Sequence, residues 1–105
     1  MAIAQYETVK IPRALAHLYH DMAISPMTLL KNYACTQIYT QIQKYDVEKR
    51  YFEAKYGCSF ADFQAKLESM ENAENFEWED DALDWEFALE NLHLWQQRAE
   101  EVEQS

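Results

Sequence analysis

Between Pro26 and Gly57 the chain runs about thirty residues with no glycine or proline to interrupt a helix, and Gly57 is the only glycine in 105 residues. Along this stretch Met27, Leu30, Ala34, Ile38, Ile42, Tyr45, Phe52 and Tyr56 recur at steps of three, four or seven, which places them on one helix face. Ser25 before Pro26 reads as an N-cap followed by proline at the first helical position. Gly57 stands where a left-handed residue closes a helix. A helix this long cannot bury its whole stripe against one short neighbour, so either a second copy or another helix of the same chain must lie along it.

The flanking segments are shorter. Arg13 to Met22 carries Leu15, Leu18, Tyr19 and Met22 at helical spacing. Before it, Val9 and Ile11 alternate with Thr8 and Lys10 up to Pro12, as in a short strand. Ser59 with Asp62 three residues on opens a third helix, with Phe60, Phe63 and Leu67 on one face, reaching about Met70. The polar run Glu71 to Asn75 reads as a loop. After Phe76-Glu77-Trp78-Glu79-Asp80-Asp81, a last helix carries Ala82, Trp85, Leu89, Leu92, Trp95 or Gln96, Ala99 and Val102. Leu83, Phe87 and Leu94 form a second stripe on it, more apolar surface than one contact face needs.

Charge divides the molecule. Residues 1–66 hold eight Lys/Arg against six Asp/Glu, whereas residues 67–105 hold Arg98 against thirteen acids, three tryptophans among them. Such asymmetry suggests an acidic segment that either solvates itself or meets a basic partner. No charged leader or long apolar run is evident, so a cytoplasmic protein without a membrane span is expected. In a reducing compartment Cys35 and Cys58 are expected as small buried hydrophobes.

Over residues 5–43 the succession of alternating strand, three-turn helix and capped longer helix resembles the ribbon-helix-helix domain of bacterial repressors and antitoxins. The resemblance implies a homodimer whose paired strands enter the major groove. Tyr6, Thr8 and Lys10 would then face operator DNA, the amides near Ser25 would hold a phosphate, and Val9, Ile11, Leu15 and Leu18 would enter the dimer core.

Over residues 51–95, Tyr51, Lys55-Tyr56-Gly57, Ser59-Phe60, Phe63, Phe76-Glu77-Trp78-Glu79 and Asp84-Trp85-Glu86 resemble an acidic module of small antitoxins that neutralise basic toxins. That resemblance implies a partner-binding arm. Trp78, Trp85, Phe87 and Trp95 would anchor in apolar pockets, while Glu77, Glu79, Asp80, Asp81 and Asp84 would meet Lys and Arg of a toxin, an RNase for example.

Each segment has a plainer use. The first forty residues also suit a helical hairpin with a frayed start, and the tryptophans also suit a core beneath solvated carboxylates. His17 and His20, with Asp21 beside them, lack further ligands to complete a metal face. No phosphate loop or nucleophile motif occurs.

The expectation is thus a mainly α chain with an N-terminal intermolecular ribbon: 1–45 for dimerisation and DNA, 46–70 as helical connector, 71–105 as acidic toxin-binding arm. Its function would be that of an antitoxin without enzymatic activity or cofactor. The alternative is a helical oligomeric scaffold or adaptor that binds no DNA.

Overall fold

A computed structural model describes residues 6–69 and 75–105. Among these, four helices follow one another: α1 Arg13–Asp21, α2 Pro26–Tyr56, α3 Phe60–Ser69 and α4 Phe76–Glu103. The chain divides into two compact units, Met1–Asn32 and Tyr33–Ser105, with the division inside α2.

No strand occurs among the described residues, which overturns the ribbon-helix-helix expectation. Residues 6–12 belong to neither helix nor strand, and Tyr6 and Val9 stand out in solvent. Alternation of Val9 and Ile11 supplies only two apolar residues to one side, and an extended segment gains its hydrogen bonds only from a pairing strand. Pro12 instead takes an extended backbone (φ −57°, ψ 144°) and its carbonyl receives the amides of Leu15 and Ala16 as α1 begins.

In the first unit α1 ends in a Schellman turn. The amide of Ile24 donates to the Tyr19 carbonyl and that of Ala23 to the His20 carbonyl, with Ala23 in the left-handed region at φ 54°. Ser25 then caps α2, its hydroxyl accepting from the Thr28 amide at 3.1 Å. Ile11, Leu15, Leu18 and Tyr19 line a shallow groove of about 230 Å³ with Pro26 and Leu29. No described residue of this unit is buried.

The second unit holds the core. Tyr45 of α2 packs with Ala88 and Leu92 of α4, with Ile42 and Trp95 beside them. Two turns along α2, Phe52 packs with Trp85 of α4 and Phe63 of α3. Rising positions on α2 meet falling positions on α4, so the two form an antiparallel hairpin. The long stripe of α2 therefore finds its cover, from Ile42 to Tyr56, within the same chain.

α3 closes one end of that hairpin. The Ser59 hydroxyl accepts from the Asp62 amide at 3.2 Å, and Phe60 and Phe63, one turn apart, reach the tryptophans of α4. Gly57 makes the turn between α2 and α3 at φ 66°, its amide donating to the Glu53 carbonyl.

α4 starts earlier than the sequence suggested. Asn75 caps it, its side chain accepting from the Trp78 amide at 3.2 Å, so the acidic run from Glu77 to Asp81 forms the first turns of the helix. Carboxylates there offset the positive end of the helix dipole, which favours helix in this acidic run. The loop expected at 71–74, and the end of α3 at Met70, lie outside the described residues. Among the described residues no helix is long and apolar enough to cross a membrane.

Candidate protein-interaction surface

The tryptophan-rich acidic segment sorts its side chains by helix geometry. Trp85 is 1% exposed and sits among Phe52, Tyr56, Phe60 and Phe63, with ring centroids 5.4 to 6.1 Å away; the Phe52 and Tyr56 rings stack nearly parallel to it. Trp78 is half-buried against Tyr56 and Phe63, and Trp95 packs beside Tyr45 and Leu92. All three tryptophans therefore serve the core, wholly or in part.

Asp81 also turns inward. Its Oδ2 accepts hydrogen bonds from the Tyr56 hydroxyl and from Lys55 Nζ at 2.6 Å, and Lys55 reaches Glu77 at 2.8 Å as well. These contacts tie the last turn of α2 to the first turns of α4. Burial pushes the Tyr56 hydroxyl up, helped by its bond to Asp81, to about 12. Burial also pushes the Asp81 carboxyl up, but the bonds from Lys55 and Tyr56 outweigh it and leave it below the usual carboxylate range. Lys55 is raised by its hydrogen bonds to Asp81 and Glu77.

Glu79, Asp80, Asp84 and Phe87 point outward. Asp80, Leu83, Asp84 and Phe87 stand at i, i+3, i+4 and i+7, so they share one face of α4. Phe87 is 56% exposed and Leu83 66%. Beside this face, Val47, Glu48 and Tyr51 of α2 complete an open groove of about 490 Å³, with Phe52 at its floor and Asp84 and Phe87 along the α4 side.

The field over this surface is negative. Residues 33–105 hold seventeen Asp/Glu and six Lys/Arg. Four of those six cations, Lys49, Arg50, Lys55 and Arg98, are engaged in ion pairs within the chain. Among the described residues Glu48, Glu79, Asp80 and Asp84 make no ion pair.

The residues expected at DNA are not gathered on a shared element. Tyr6, Thr8 and Lys10 lie exposed in the segment before α1. The Ser25 hydroxyl is already committed to the Thr28 amide and hydroxyl. Cys35, expected inside, is exposed, and Cys58 packs half-buried against the Phe52–Phe63–Trp85 cluster. Among the described residues no group of three His, Cys, Asp or Glu is placed to hold a metal ion.

Sequence reasoning passed over Val47 and Glu48, gave Tyr51 no wall to line, and did not join Lys55, Tyr56 and Asp81. Val47 and Tyr51, four residues apart and off the main stripe of α2, carried the one available signal of a second face. Comparison with known proteins finds no match: no family model, no curated protein and no solved structure aligns with this chain. Both antitoxin resemblances are accordingly withdrawn, the N-terminal one for want of a strand and the C-terminal one for want of any matching family.

Proposed function

We propose that the chain is a helical adaptor, a binding protein rather than an enzyme, whose second unit engages a basic protein through its acidic face. The observation that carries this is the division of labour on α4. Its tryptophans and Asp81 are turned into the fold, while Glu79, Asp80 and Asp84 remain on the surface with no ion pair among the described residues, and Phe87, which meets Tyr45 only at its edge, leaves more than half of its surface exposed.

Two physical effects favour such a role. A surface with this excess of carboxylates raises the encounter rate with a cationic protein and repels acidic ones. Exposed aromatic and aliphatic groups set among the carboxylates supply apolar area to desolvate once contact is made.

Affinity purification of the full chain from its own cells at rising ionic strength tests the proposal. A basic protein retained in stoichiometric amount is expected, released as salt increases, and released earlier from Asp80→Asn/Asp84→Asn. Recovery of acidic partners only, or of none, contradicts it.

A further inference from the structure

The groove between α2 and α4 combines features that specify its occupant. Val47, Tyr51 and Phe87, exposed by 66, 59 and 56%, give it apolar walls, and Glu48 and Asp84 stand as its charged residues with no cation in its lining. A trough between two helices, lined this way, has the form that receives the apolar face of a third helix.

We infer that this groove is the docking site for an amphipathic helix of the partner, one that presents large apolar side chains inward and Lys or Arg at its borders. The inference rests on the adaptor role proposed above and names the surface that performs it. Charge complementarity selects the occupant. Lys or Arg at the borders of the guest reaches Glu48 and Asp84, which make no ion pair among the described residues, and desolvation of Tyr51 and Phe87 supplies contact area. A second copy docking groove to groove would set Glu48 and Asp84 against their own equivalents within a unit already rich in carboxylates. The floor residue Phe52 is 7% exposed and belongs to the core, so the fold itself holds the groove's base fixed.

The experiment uses the full chain and a synthetic amphipathic peptide with a Leu/Phe face flanked by Lys and Arg, with binding followed by fluorescence anisotropy. Phe87→Ala and Tyr51→Ala, whose rings are more than half exposed and meet the core only at the edges of Tyr45 and Phe52, are each expected to weaken binding by about tenfold or more. Glu48→Gln/Asp84→Asn is expected to weaken it similarly, whereas Glu100→Gln/Glu101→Gln, on the far end of α4, leaves it unchanged. Circular dichroism establishes that each variant is folded. If the peptide binds but Phe87→Ala and Tyr51→Ala bind equally well, the groove assignment is overturned while the adaptor role stands. If neutralising Glu100 and Glu101 costs as much as neutralising Glu48 and Asp84, attraction is diffuse and the groove is again overturned. No binding at all to the folded chain overturns the groove as a site for a basic helix. Sedimentation that shows self-association lost in Phe87→Ala replaces the partner with a second copy.

Discussion

Phe52 of α2 and Trp85 of α4 stack with ring centroids 5.7 Å apart and planes 18° from parallel, and this pair is the centre of the second unit. Trp85 is 1% exposed and Phe63, which touches it from α3, is fully buried, so three helices meet at one indole. Replacing Trp85 by Ala removes most of that packing and is expected to cost about 3–5 kcal/mol in urea unfolding. Phe87→Ala, on the same helix but more than half exposed and touching the core only at the edge of Tyr45, is expected to cost about 1 kcal/mol. A similar cost for both would mean that Phe87 is buried in solution.

The Asp81 triad makes stability depend on pH in a definite direction. The Asp81 carboxyl is held below its ordinary range, so its contribution is fully present above about pH 4 and lost as the pH falls through the lowered value. Tyr56, raised to about 12, and Lys55, also raised, contribute stability that is present below about pH 10 and lost on further rise. Thermal melts of the native chain and of Asp81→Asn should therefore differ most between about pH 5 and pH 9 and converge toward both extremes. Tyr56→Phe should cost about 1 kcal/mol at neutral pH. A constant difference between native and Asp81→Asn across the whole range would show that Asp81 is not coupled to its neighbours.

Two left-handed residues make opposite predictions. Ala23 holds φ 54° at the end of α1, where a side chain is strained, so Ala23→Gly should stabilise that turn by up to about 1 kcal/mol, read as greater hydrogen-exchange protection of α1 amides. Gly57 holds φ 66° with open space around an added Cβ, so Gly57→Ala should destabilise by about 1–2 kcal/mol through the backbone alone. Unchanged protection in the first case, or unchanged stability in the second, would contradict these turns.

The start of α4 rests on Asn75. Asn75→Ala removes the acceptor for the Trp78 amide and should cost about 1 kcal/mol, measured by chemical unfolding. No loss would place the first turn of α4 elsewhere.

The helices were legible because their signals are local. The Ser25-Pro26 start, the Gly57 stop and the Ser59 cap each act within one turn, and α2 begins and ends, and α3 begins, where those residues put them. The expected strand failed because pairing is not a local property, and two apolar residues in alternation say nothing about a partner. Trp85 illustrates the limit for the site. Its helical spacing suited both a core and a binding anchor, and only the meeting of α2, α3 and α4 around it made it core. The groove was legible on one side alone. The second stripe of Leu83 and Phe87 showed on α4, but its α2 wall, Val47 and Tyr51, depends on the register of the hairpin, which no short-range pattern encodes.

Site-specific photo-cross-linking from position 87 in living cells tests the central claim most directly. A cross-linker there sits on the exposed side of α4 beside Asp84, without disturbing Trp85 or the Asp81 triad. The account predicts one discrete adduct with a basic protein, lost when Glu48 and Asp84 are replaced by Lys. An adduct only with a second copy of the chain, an adduct with an acidic protein, or none at all would contradict it.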